Sequence, residues 1–195
     1  MQSDGPPIFV PFIDPGHGGD EPCSDGHGII EAPYVYQIAT ILRDLVAATG
    51  KWGPLLSRDR HEGPSISLRD QRALRDGASF VFSIHADSVD ADYHGFTALY
   101  CAANRRAKAV AESIARAMPR ELCSSRTGRV VGVSASDPDY PRASNVVYGY
   151  TPPAVLLEVG YLSNRRDADY LKSPHAQVRI AAALLAGVCV AAQIY

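Results

Sequence analysis

The chain has 195 residues, 46% hydrophobic and 21% charged, which is enough for one domain with a genuine core and too apolar for intrinsic disorder. A balance of 19 Lys+Arg against 21 Asp+Glu leaves a formal charge of −2, so no basic field is available to hold nucleic acid through its phosphates. Cys23, Cys101, Cys123 and Cys189 show no CxxC spacing, which argues against a thiolate zinc site.

Residues 1–7 lack the basic cluster and apolar run of a secretory signal. They read as a flexible N-terminal segment ahead of a single domain over residues 8–195. Ile8 to Ile13 is a short apolar run that breaks at Asp14-Pro15-Gly16-His17-Gly18-Gly19, the pattern of a buried strand entering a glycine loop. From Ala32 to Ala48, Val35, Ile38, Ala39, Leu42, Leu45 and Val46 recur at helical spacing, with Gly50 as a stop. Pro54 to Ser57 predicts a short strand and Ser65 to Asp76 a short polar helix. Ser79 to His85 is β-branched and aromatic, as a central strand requires.

Phe96 to Cys101 is a further strand, and Ala107 to Met118 an amphipathic helix ended by Pro119. The polar stretch Leu122 to Tyr150 offers at most short strands at Val130–Val133 and Asn145–Tyr148. Ala154 to Val159 is a strongly apolar strand, and Pro174 to Gln193 closes the chain as a helix. Its most apolar part, Ile180 to Ala192, is 13 residues long; a bilayer span needs about 20, so a buried helix is expected and no transmembrane segment. Cys189 within it is expected to be a small core residue. Alternating strands and helices imply an α/β fold: a single-domain, three-layer α/β/α arrangement with a mostly parallel or mixed twisted sheet flanked by helices. A monomer is expected.

Three strands end in chemistry. The first delivers His17 in a glycine loop, the Phe80–Ile84 strand delivers His85, and the Ala154–Val159 strand carries Glu158 among apolar neighbours. Polar residues at adjacent strand ends converge on one crevice. Glu31 opens the long helix, so its carboxylate points back towards the same ends. Two histidines and a carboxylate supply three of four tetrahedral zinc positions and leave one for water. Alone, each has a plainer reading: a hydrogen-bonded histidine, a glutamate favouring a helix N-terminus, or Asp14 before Pro15 as a turn former. Glu158 resists that reading, because a carboxylate in an apolar strand costs several kcal/mol unless paired or metal-linked.

These motifs resemble those of the zinc-dependent N-acetylmuramoyl-L-alanine amidases of type 3. Ile13-Asp14-Pro15-Gly16-His17-Gly18-Gly19 is similar to that family's opening strand and loop, Gly28-Ile29-Ile30-Glu31 to its glutamate-ligand segment, and Ser83-Ile84-His85-Ala86 to its second histidine motif. Leu157-Glu158-Val159-Gly160-Tyr161-Leu162-Ser163-Asn164 resembles the segment with the catalytic glutamate. The motifs follow family order from Ile8 to Ile194, so the resemblance implies a zinc amidase catalytic domain. It implies Zn2+ on His17, Glu31 and His85, with Glu158 as general base. It implies peptidoglycan as substrate, cleaved between N-acetylmuramic acid and L-alanine of the stem peptide. The setting would be the cell wall, whether periplasmic, secreted or phage-released, as for an autolysin or endolysin.

The alternatives are a zinc carboxypeptidase or other amidohydrolase, and a catalytically silent cell-wall binding module. Asp87 stands where the family commonly has Asn, and either Arg69 or Arg72 matches the family's arginine. Arg58, Arg69, Arg72 and Arg142 are candidates for binding stem-peptide carboxylates, most of them expected to be ordinary surface residues. His27 ranks low as a ligand, and His61, His94 and His175 are expected to be solvated. Some family members are closed by a helical insertion after the second histidine strand. Ala86 to Gly95 is too short for such a helix and a turn, since a helix rises only about 1.5 Å per residue, so an open cleft is expected. Ser124 to Tyr150 is the alternative lid.

Overall fold

The computed structural model describes residues 9–20, 23–123 and 129–195; the expected N-terminal segment 1–7 lies outside the described residues. The strands are β1 (Pro11–Pro15), β2 (Asp25–Gly26), β3 (Ile29–Ile30), β4 (Leu55–Leu56), β5 (Phe80–Asp87), β6 (Thr97–Cys101), β7 (Arg129–Val133) and β8 (Ala154–Tyr161). The helices are α1 (Glu31–Ala48), α2 (Ile66–Arg75), α3 (Arg105–Ala117), α4 (Pro141–Gly149), α5 (Arg165–Leu171) and α6 (Ala176–Ile194). Six strands form one sheet in the order β4-β1-β5-β8-β6-β7, and β2 pairs with β3 in a small hairpin. Every neighbouring pair in the large sheet is parallel except β8 and β6. The sheet is therefore mixed, with its longest strands, β5 and β8, side by side at the centre.

Side chains alternate across a sheet with period two, and this alternation divides the interior in two. Ile13, Phe82, Ile84, Val155 and Leu157 face α1, α3 and α6 in the larger core. Phe12, Val81, Leu99 and Leu156 face α2 and α4 in the smaller one. Helices thus cover both faces, as the near-continuous apolar runs of the central strands require. On the larger side α6 crosses α3 closely at Gly187, where a Cβ would run into Ile114.

The polar stretch before β8 departs from expectation. Asn145–Tyr148 is not a strand but lies within α4. The reason is visible in retrospect: Pro141 occupies the first turn, where its missing N–H costs nothing. Ala143, Val146, Val147 and Tyr150 recur at helical spacing and pack on the sheet. Ser124, with which the expected lid began, lies outside the described residues, while β7 and α4 order most of the rest.

A second departure is α5, absent from the sequence reading. Asn164 caps it, accepting hydrogen bonds from the N–H groups of Arg166 and Asp167 (3.0 and 3.2 Å) while donating its own amide to the Ala91 carbonyl (2.6 Å). Asn164→Ala is expected to lower stability by about 1 kcal/mol, measured as a fall in urea midpoint at unchanged m-value.

The closing helix is longer than its 13-residue apolar core. At 19 residues α6 is long and apolar enough to cross a membrane, yet Ile180, Ala181, Leu184, Val188 and Ala191 are buried against the domain. Cys189 on it is half-buried rather than a core residue, and none of the four cysteines forms a disulfide.

Candidate metal centre

The same alternation that builds the cores places the functional side chains. On β5, Ser83, His85 and Asp87 share the face of Val81; on β8, Glu158 shares the face of Leu156. His85 and Glu158 are register partners on adjacent strands, so both project from the α2/α4 face at the carboxyl end of the parallel strands. They look into a cleft of about 910 Å³ that His17, Glu31, Asp87 and Arg142 also line.

His17 arrives on the loop after β1, in a left-handed backbone conformation (φ +54°) uncommon for a residue with a Cβ. Two buried arginines hold it there. Arg69 donates to the carbonyls of His17 (2.7 Å), Pro15 (2.9 Å) and Pro64 (2.8 Å), and pairs with Asp14 at 2.8 Å. Arg58 donates to the carbonyls of Pro15 (2.9 Å) and Gly16 (3.0 Å). Asp14 is no mere turn former: at 2% exposure it also accepts from the Ser57 and Ser83 hydroxyls at 2.6 and 2.7 Å. Burial pushes its carboxyl up, but Arg69 and the two hydroxyls outweigh that and hold it below its ordinary value. Gly16 is the close-packing point, since a Cβ there would collide with the His85 ring.

Glu31 is the first residue of α1 and is 2% exposed. Its carboxylate lies between the two histidines, with Oε2 3.4 Å from His17 Nε2 and Oε1 3.2 Å from His85 Nδ1. The backbone N–H groups of Ser24 (3.0 Å) and Ala86 (3.1 Å) donate one to each oxygen. Burial pushes Glu31 up, but hydrogen bonding and charge from His17 and His85 hold it well below the usual carboxylate range. The three donor atoms lie within 4.8 Å of one another. Ligands bonded at about 2.0–2.2 Å in a tetrahedron sit ~3.4 Å apart, so this nitrogen and oxygen set suits a divalent ion such as zinc once its widest pair closes in by about an ångström.

Glu158 stands beside this trio rather than in it. Burial first, then the charges of Asp87 and Glu31, push its carboxyl well above the usual range. Its Oε2 is shielded from solvent and has no hydrogen-bond partner among the described residues. Asp87 is likewise pushed up, mainly by burial. The other histidines lie apart from the trio: His27, on the β2–β3 turn, faces the Ser163 carbonyl at 3.3 Å, and His61 and His175 are exposed. His94, expected to be solvated, is half-buried. Of the four arginines, Arg58 and Arg69 are buried in the loop scaffold, Arg72 pairs with exposed Glu62 at 2.9 Å, and Arg142 faces the cleft. Sequence reasoning missed the scaffold of Arg58, Arg69, Ser57 and Ser83. Its signal was Asp14 itself, a carboxylate at the end of an apolar strand that needs a buried cation.

Comparison with known proteins places this geometry. Residues 12–190 match the family described as N-acetylmuramoyl-L-alanine amidase. An uncharacterized cell wall amidase of Bacillus anthracis is 30% identical over 187 residues, covering 91% of this chain and 34% of that protein. The amidase LytC of Bacillus subtilis is 29% identical over 161 residues, covering 83% of this chain and 31% of LytC. The chain thus spans about a third of the length of both relatives. Among solved structures, the amidase AmiC2 of Nostoc punctiforme superposes with a TM-score of 0.77 at 25% identity, covering 95% of this chain and 97% of that one. The catalytic domain of the amidase CwlV from Bacillus (Paenibacillus) polymyxa gives 0.78 at 25% identity, over 93% and 96% of the two chains. A match running from β1 into α6, with the fold of solved amidases, shows that the chain belongs to the N-acetylmuramoyl-L-alanine amidase family.

Proposed function

We propose that this chain is a peptidoglycan hydrolase that cleaves the amide between the lactyl group of N-acetylmuramic acid and L-alanine of the stem peptide, acting at the cell wall. The observation that carries the reading is the convergence of His17, Glu31 and His85 within 4.8 Å, in a cleft that also holds Glu158. His17, Glu31 and His85 would hold zinc, which when bound lowers the pKa of water and polarises a carbonyl.

The protein's own groups do the rest. The Ser24 and Ala86 N–H groups fix the Glu31 carboxylate, so both of its oxygens stay aimed at the histidines. Such outer contacts orient ligands and tune their basicity. Glu158 takes the proton of the attacking water and passes it to the departing amine of L-alanine. Its Oε2 has no competing hydrogen bond, which leaves it open to the water proton.

Residues 88–96, between β5 and β6, contain no helix that could plug the cleft. The purified protein is therefore expected to digest peptidoglycan without an activator. EDTA should abolish that activity and about one equivalent of zinc should restore it. Mass spectrometry of the digest should show free lactyl ends on the glycan and free L-alanine amines on the peptides. Full activity in EDTA, or stem peptides cut elsewhere, overturns the assignment.

A further inference from the structure

We propose that Arg142 binds a free carboxylate of the stem peptide beyond L-alanine, and so sets which peptidoglycan chemistry the cleft accepts. This rests on the amidase reading above. Arg58 and Arg69 have their donors committed to backbone carbonyls and Asp14, and Arg72 is paired with Glu62. Arg142 differs from all three. It is exposed, stands on the first turn of α4 and lines the cleft. No hydrogen bond or ion pair links its guanidinium to any other described residue, although its charge reaches Asp87.

The helix that carries it is well anchored. Ala143, Val146 and Val147 pack against the sheet. Arg142 and Asn145, three residues apart and so on one side of α4, are left exposed along the cleft. Away from the metal ligands, the other charged side chains open to the cleft include the carboxyls of Asp25 and Asp87, which do not attract a substrate carboxylate. At Arg142 it meets a planar fork of donors that matches a carboxylate in two parallel hydrogen bonds. Asn145 offers a neighbouring amide, able both to donate to and to accept from the peptide backbone. Stem peptides carry carboxylates that are free in some cell walls and amidated in others. A lone guanidinium discriminates between the two forms, because an amide cannot form the charged pair.

The test is kcat/KM for the zinc-loaded protein on soluble muropeptides that differ only in whether one stem carboxylate is free or amidated. Wild-type protein should favour the free acid at one position by about tenfold or more, the effect expected of one charged hydrogen-bonded contact. Arg142→Gln should remove that preference by raising KM for the free acid far more than for the amidated partner, with the thermal midpoint unchanged. Arg142→Lys should retain part of it. An undiminished preference in Arg142→Gln, or no preference in the wild type at any position, overturns the assignment. Wild-type protein that cleaves neither form of any muropeptide overturns the amidase reading and this assignment with it.

Discussion

Glu158→Gln is expected to lower kcat by about 10²–10⁴-fold, the range a positioned general base contributes, with zinc content and fold unchanged. The separation follows from geometry. Glu158 lines the cleft but lies outside the group of donor atoms formed by His17, Glu31 and His85, so replacing its carboxylate removes no ligand. Gln keeps the shape and one oxygen but cannot take a proton. Metal analysis beside single-turnover kinetics checks both halves. Loss of zinc in Glu158→Gln would instead make the residue a ligand.

The second large effect is expected at Arg69. Arg69→Met should cost about 3–5 kcal/mol of stability, because it leaves a buried charge without its partner. The charge is Asp14, 2% exposed and 2.8 Å from the guanidinium. Arg69→Lys should recover only part of the loss: an ammonium neutralises Asp14 but cannot also span the carbonyls of Pro15, Pro64 and His17. Adding Asp14→Asn to Arg69→Met removes the stranded charge and should restore much of the stability. It should not restore zinc affinity, because His17 still lacks its clamp. The pH dependence has a definite sign. Asp14 has a lowered pKa in the folded protein, so its contribution is present above the ordinary carboxylate range and fades as acid approaches the folded value. The deficit of Arg69→Met relative to wild type should therefore narrow in acid, which urea titrations across pH would measure.

The strands and the polar residues at their ends were legible in the sequence because both signals are local. A buried strand is an apolar run, and His85 and Glu158 interrupt such runs. Helix α4 was misread because its apolar residues are diluted by Arg142, Ser144 and Asn145; only the spacing of Ala143, Val146 and Val147 marks it. Helix α5 is seven residues long, too short for periodicity to show, and rests on its Asn164 cap and on packing of Ala168 and Leu171. The role of Arg69 was beyond sequence reading for another reason. Its acceptors are mostly backbone carbonyls, and Asp14 and His17 lie 55 and 52 residues away. No pattern of side-chain types records such contacts. Arg69 and Arg72, alike in the sequence, differ in their surroundings: one is buried inside the loop scaffold and the other pairs with an exposed glutamate.

The alternation that runs along β8 up to Glu158 also governs which length changes a gene for this fold can survive. Deleting one residue from residues 154–157 while the start of β8 stays in register would turn Glu158 towards α1 and α6 and bring Val159 into the cleft. A single-codon loss there would strip the chemistry and poison the larger core at once. Insertions between strands carry no such penalty, because residues 88–96 and 134–140 start no new register. Diversification of this scaffold is thereby channelled into the connecting segments, where added chain leaves the inward and outward faces of β5 and β8 as they are.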